Sequence, residues 1–417
     1  MPNVTEQPPK SPRTWRPMAL WIAGILLALG LAWFIGAVVV PVWQVRSVLK
    51  RGPIGHICDK PIGALGGPDR AARKLDLYLR MPHWLASERK TAVAILGHCG
   101  SGRVPALSRV LRDQREAVHV RETAARGLAE TADLGQAELR AALRSPDSTV
   151  RLLATGTLYF FAPVPEIEAM LDDPDPAVRR RALGVFYACF SCRGDSRLAL
   201  SAMCRAVRHP LPDVRRRSAA ELGALWIVIC QRDGQQEAGA ALAGGIDDPD
   251  LAVRVSVARS LSKYGPQPEK QRAIFRAGLA CDDPLARAES ASGLCGGKVW
   301  TDEMAPLLIT ALGDRNPLVQ ICAAQTLGSH GGQRAVGPLM ALLAATEQRI
   351  DSKETAGFRF DVEASTRLAA IRALGFLGSV AAEAVPAIEP LLNDSAPALR
   401  AAAAEALKKI RGEKPKP

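Results

Sequence analysis

The chain has 417 residues, of which 48% are hydrophobic but only 5% aromatic, with a formal net charge of +12. This length allows two or three domains or one elongated array, and so aromatic-poor a composition disfavours β-sandwiches. The positive charge sits at the ends: residues 1–60 carry +5 and residues 408–417 carry +4, so the body between them is near neutral and lacks the footprint of a nucleic-acid groove.

Residues 1–17 form a basic tail, and 18–40 (MALWIAGILLALGLAWFIGAVVV) contain no charged side chain. Twenty-three residues at 1.5 Å each rise about 34 Å as a helix, enough for a hydrocarbon core of about 30 Å. Trp21 and Trp43 flank the run, where interfacial aromatics are expected. A secretory signal has an apolar core of about 7–15 residues and then a small-residue cleavage site. This run is longer, and VVVPVWQVR has no such site, so residues 18–43 read as an uncleaved, single-pass transmembrane helix. Lys10, Arg13 and Arg16 on one flank balance Arg46, Lys50, Arg51 and Lys60 on the other, so the positive-inside rule assigns no side to the rest of the chain. Residues 44–80, with Gly52, Pro53, Gly63, Gly66, Gly67 and Pro68, read as a linker or capping segment.

From residue 81 one phrase returns. It is clearest as SPDSTVRLLA at Val150, DPDPAVRRRA at Val178, LPDVRRRSAA at Val214 and DPDLAVRVSVA at Val253. Weaker copies fall at Val120, Ala286, Val319, Thr366 and Leu399, and a degraded one falls around Glu88. Successive marks lie 28 to 39 residues apart, with one interval of 47 before Thr366. That spacing is two short helices and two turns. Each unit shows an apolar helix (EIEAMLDD, AVGPLMALLAAT), an Asp/Pro turn, and a second helix with apolar residues such as Val178, Ala182, Val185 and Phe186 on one stripe. Asp175-Pro176 and Asn316-Pro317 place a capping side chain before a proline at the first helical position. LGSHG (327–331) and LGFLG (374–378) read as closers of the second helix.

The phrase D-P-x-x-x-V-R-x-x-A-x-x-x-L-G resembles HEAT and HEAT-like (bilin-lyase-type) repeats, over roughly residues 80 to 411. The resemblance implies an all-α, right-handed α-solenoid of about nine to ten helical hairpins over 81–411, preceded by one transmembrane helix. Such solenoids mostly serve as protein-binding scaffolds, so the chain is expected to be a non-catalytic, membrane-anchored scaffold for a protein partner.

Cations in the first turn of a helix oppose its macrodipole at about 0.3–1 kcal/mol each, so the repeated arginine needs a compensating partner. Arg151, Arg179, Arg215, Arg254, Arg287, Arg367 and Arg400 share that phase, and acids occupy neighbouring turns. The resemblance implies that these arginines bond to aspartates of adjacent turns, a ladder along the stack. Arg180, Arg181, Arg216 and Arg217 are extra, in two consecutive units. On a helical wheel Arg180 and Arg216 point almost directly away from the buried stripe, while Arg181 and Arg217 flank it. They form either a basic patch for an acidic partner, or a solvated face with Arg217 paired to Glu221; an anionic polymer bound by the same face is the alternative function.

Cys189, Cys192, Cys204 and His209 have a spacing open to a zinc site, a disulfide or plain packing. There is no H-E-x-x-H or G-x-S-x-G, and GHCGSG (97–102) lacks a phosphate-loop lysine, so no metal, cofactor or catalytic residue is expected. A lyase-type enzyme is the second alternative, suggested only by the resemblance. The long interval before Thr366 holds an insertion at about 346–363, where Phe358 and Phe360 either meet a partner or pack back on the repeats. Residues 412–417 form a basic tail.

Overall fold

The computed structural model describes residues 29–49, 59–81, 85–100, 102–158, 164–192, 196–265, 267–296, 298–345 and 365–412. Among the described residues there are helices and turns but no β-strand. The chain divides into two compact units, 1–161 and 162–417. The division falls in the segment YFFAPVP (159–165), between the helix Ser148–Thr157 and the next hairpin.

All ten marks of the phrase lie on second helices. In the first unit these are Ala86–Gly97, Val118–Ala129 and Ser148–Thr157. In the second they are Pro176–Cys192, Pro212–Ala224, Leu251–Leu261, Pro284–Gly293, Pro317–His330, Thr366–Leu377 and Pro397–Arg411. Each first helix packs against its own second helix, and within each compact unit the second helices of successive hairpins pack on one another, as Pro317–His330 does on Thr366–Leu377. This all-α arrangement of stacked helical hairpins is a helical-repeat solenoid in each unit.

The starts of the second helices follow from turn chemistry. Asp175 accepts from the Ala177 amide at 2.8 Å, Asp250 from Ala252 at 2.8 Å and Asn316 from Leu318 at 2.9 Å. Each bond satisfies one of the four amides that the first turn leaves without an intrahelical acceptor. Prolines at 176, 212, 284, 317 and 397 open their helices where no amide is needed. Val178, Ala182, Val185 and Phe186 are buried together, the stripe that their spacing predicts.

The closing phrases end their helices: Gly378, with φ of +61°, caps the helix Thr366–Leu377, and Gly331 follows the end of Pro317–His330. The first glycine of each phrase lies inside its helix and sets the approach of the next one. A Cβ at Gly328 would sit 2.6 Å from the Cα of Ala373, and one at Gly375 would sit 2.9 Å from the Cα of Ala406. Second helices are therefore stacked nearly backbone to backbone, which is why the chain is rich in small residues.

The N-terminal span begins outside the described residues, but from Leu29 to Leu49 it is one helix, apolar and long enough to cross a membrane. Its exposed face includes Leu29, Trp33 and Trp43. A second helical stretch, Thr366–Asn393, has similar length and hydropathy but is half buried within the repeats. The described residues of 44–80, the linker or capping segment, are largely helical: the span continues to Leu49, Asp59–Ala64 is a short helix, and Pro68–Arg80 is the first helix of the stack. Of its glycines, Gly66 and Gly67 are turn residues at φ of +95° and +92°, and Gly63 lies in the short helix. The insertion at 346–363, with Phe358 and Phe360, and the tail beyond Gly412 lie outside the described residues.

Candidate functional site

The repeated arginine performs one local task at six of its seven positions. Arg215 donates Nη1 to the carbonyls of His209 (2.9 Å) and Pro210 (2.8 Å), six and five residues before it. Arg151, Arg179, Arg254, Arg287 and Arg400 make the same pair of bonds to their own turns. Those carbonyls belong to the turn before each second helix, so a cation in the helix's first turn is offset by oxygens aimed at it.

At four positions the guanidinium also meets an acid at the next turn. Arg215 grips Asp248 with two bonds, Nε to Oδ2 at 2.7 Å and Nη2 to Oδ1 at 2.9 Å. Arg287 grips Asp314 the same way at 2.7 and 3.0 Å. Arg179 meets Asp213 at 2.7 Å, and Arg367 stands 3.9 Å from Asp394. The residue that follows Arg254 in this geometry is Cys281, and no ion pair bridges those two turns among the described residues. Asp248 and Asp314 also accept from the amides of Asp250 and Asn316. Burial raises their carboxyl pKa values, but the arginine and amide hydrogen bonds outweigh it, leaving both below the ordinary range.

Two arginines that the phrase did not single out do comparable work in the first unit. Arg121 donates Nε to the Leu111 carbonyl at 2.9 Å and pairs with Asp147 at 2.5 Å. Arg89 bonds to the carbonyls of Leu79 and Met81 and to Glu116. Both directly follow a phase mark, Val120 or Glu88, so the signal was in the register although the surrounding phrase was too degraded to display it.

The extra arginines divide unevenly. Arg180 and Arg181 are exposed, and among the described residues neither forms an ion pair. Arg217 pairs with Glu221 at 2.7 Å, one turn on. Arg216 departs from its wheel position. Its Nη1 lies 2.5 Å from Asp283 Oδ2 and its Nη2 lies 3.2 Å from Glu289 Oε2, two units further along. The direction away from its own hairpin is correct, but that direction leads to another part of the stack. The intervening helix Leu251–Leu261 is packed so closely that a Cβ on Gly223 would strike Ser260 at 2.3 Å, so a long side chain spans it. Glu289 is 2% exposed and also accepts from Ser256 Oγ at 2.6 Å. Burial opposes the Arg216 charge, yet the Glu289 and Asp283 carboxylates outweigh it and hold its pKa above the usual arginine value.

Between the helices Pro176–Cys192, Pro212–Ala224 and Pro284–Gly293 lies a cleft of about 350 Å³. Its walls are both apolar and cationic: Leu183, Ala220 and Leu285 beside Arg179, Arg180 and Arg216. Arg180 supplies its unpaired guanidinium, while Arg181 faces solvent elsewhere on the same helix.

Cys189 and Cys204 are buried, the side chain of Cys192 lies outside the described residues, and His209 Nε2 lies 3.1 Å from Asp172. Burial pushes the Cys204 thiol up to about 12. Among the described residues no group of three or more His, Cys, Asp or Glu is placed to hold a metal ion.

The fold and the ladder define a class, the helical-repeat solenoid proteins. Within it, residues 272–356 and 358–417, about a third of the chain, match the family model for HEAT repeats. No curated protein matches the chain. Similar solved structures include the Escherichia coli protein YibA, at 15% identity over 69% of this chain and 95% of that one, with a TM-score of 0.46. Importin beta matches at 14% identity over 81% of this chain and 50% of that one, with a TM-score of 0.44. The CpcE–CpcF complex of phycocyanin lyase from a Nostoc species matches at 15% identity over 66% and 94%, with a TM-score of 0.35.

Proposed function

We propose that the protein is a membrane-anchored, non-catalytic scaffold, whose second unit binds a protein partner at the cleft beside Arg180. The observation that carries this reading is the contrast within the triplets. Arg179, Arg215, Arg216 and Arg217 are all bound to carboxylates of the chain itself, whereas Arg180 presents an unpaired cation at an apolar opening. An exposed cation beside a small apolar hollow suits a partner segment that carries an acidic side chain next to an aliphatic one. The anchor is the helix Leu29–Leu49, on which Leu29, Leu31, Trp33, Phe34 and Trp43 are exposed.

A photo-crosslinking residue at position 180, in the full chain in its native membrane, tests the reading. Discrete protein adducts are expected at 180 and not at the exposed Leu198, and Ala220→Trp, which fills the cleft, should abolish them. Equal yields at 180 and 198, or adducts indifferent to the filled cleft, would remove the proposal. Nuclease-sensitive adducts would move it to the anionic-polymer alternative.

A further inference from the structure

A hairpin of a solenoid normally touches only its neighbours, so the bend of the stack is set one step at a time. Packed helices lie about 8–10 Å apart, and two steps in a straight line would separate second helices by about 16–20 Å, with a third between them. The second unit departs from this rule. Arg216 bonds to Asp283 at 2.5 Å and reaches Glu289 at 3.2 Å, two hairpins on. The cleft extends the departure by one more step, because Pro176, Arg180 and Leu183 share it with Leu285 and Glu289, three hairpins on. Here the stack curls, so that Pro176–Cys192 and Pro212–Ala224 face Pro284–Gly293 over the helix Leu251–Leu261.

The carboxylates that receive Arg216 are each held by other bonds of the chain. Glu289 Oε2 accepts from the Ser256 hydroxyl at 2.6 Å, on the intervening helix, and Ser256 is fully buried beneath the bridge. Asp283 Oδ1 accepts from the Leu285 amide at 2.9 Å and so starts Pro284–Gly293, while its Oδ2 faces Arg216. One cation between two anchored acceptors defines a single separation of the helices that carry them. Arg216 and Glu289 also line the cleft, so the bridge is part of its wall.

We infer that Arg216 is a clasp: it ties the hairpin of Pro212–Ala224 to that of Pro284–Gly293, fixes the bend between them, and so sets the width of the cleft beside Arg180. It is a positioning residue for the partner site, and in that functional part the inference rests on the reading proposed above. Without the clasp, Arg180, Leu183, Ala220 and Leu285 keep their places on their own helices. The walls part, and the Arg180 cation no longer stands beside an apolar opening of fixed width.

The test reads the bend without reference to any partner. Spin labels on unnatural side chains at the exposed positions 181 and 282, one beside each wall, report the distance across the cleft in the full chain in lipid vesicles. Labels of this kind leave the nine cysteines untouched. The wild type should give one narrow distance, which Arg216→Ala should lengthen and broaden and Arg216→Lys should largely restore. Adducts at position 180 should fall several-fold in Arg216→Ala. Asp283→Asn covers the case in which Arg216→Ala does not fold. Asparagine still accepts from the Leu285 amide, so the helix start is kept while the clasp loses a charge, and a smaller shift in the same direction is expected. The wild-type distance retained in Asp283→Asn and in folded Arg216→Ala would overturn the clasp and leave the partner reading standing. A lengthened distance with no discrete adducts at 180 in the wild type would overturn the partner reading and support the clasp.

Discussion

The helices Pro176–Cys192 and Pro212–Ala224 carry the same Arg-Arg-Arg at the same phase, in consecutive units, and use it differently. In the first, one arginine is held by its turn and by Asp213, and the other two face solvent. In the second, all three are engaged: Arg215 with Asp248, Arg216 with Asp283 and Glu289, and Arg217 with Glu221. The difference comes from what stands opposite. A sequence motif names donors, but acceptors 4 to 73 residues away decide whether those donors become structure or remain available.

The largest test of that contrast is Glu289→Ala. It leaves Arg216 half-buried with one carboxylate fewer and strips Ser256 of its acceptor, and breaking a buried pair from one side costs about 3–5 kcal/mol. Urea unfolding should show that loss, and an unchanged midpoint would mean that the cluster is not a buried support. Next come the two ladder arginines. Arg215→Ala removes two charge-assisted bonds to a carboxylate that is 7% exposed, whereas Arg179→Ala removes bonds to one that is 45% exposed. Charged hydrogen bonds contribute about 1.5–3 kcal/mol when shielded, and exposed pairs contribute about 0–1, so Arg215→Ala should cost more in the same assay.

Acid should erase part of the difference. Asp248 has a folded pKa below its unfolded value near 3.9, so its contribution is present above about pH 4 and is lost as pH falls through the folded value. The stability gap between wild type and Asp248→Asn should be constant near neutrality and shrink below about pH 4. A gap that instead widens in acid would contradict the assigned pair. The smallest effect belongs to Arg180→Ala with Arg181→Ala: two exposed cations without ion pairs should change stability by no more than about 0.5 kcal/mol.

Much of the fold was legible because it is local. Asp-Pro starts, the Val178 stripe and the spacing of the marks are read within one hairpin, and all ten marks fall on second helices. What escaped depends on neighbours. The role of Gly328 and Gly375, the first glycines of the closing phrases, is set by Ala373 and Ala406 in the following units. Residues 44–80 read only as linker or cap, because the packing of Val40–Leu49 against Pro68–Arg80 and Ala86–Gly97 depends on those neighbours. At the candidate site, the wheel separated Arg179 from Arg180 correctly. It could not place Arg216 against Glu289, because the register of one unit contains no information about the side-chain reach across the next.

The most direct measurement compares urea midpoints of the full chain with Arg180→Ala/Arg181→Ala and with Arg216→Ala/Arg217→Ala. Both variants remove two arginines from the same motif, so charge and composition change equally. The first should unfold with the wild type and the second well before it. Equal losses, or a larger loss from the first, would contradict the division of the two triplets into one that is free and one that is built into the stack.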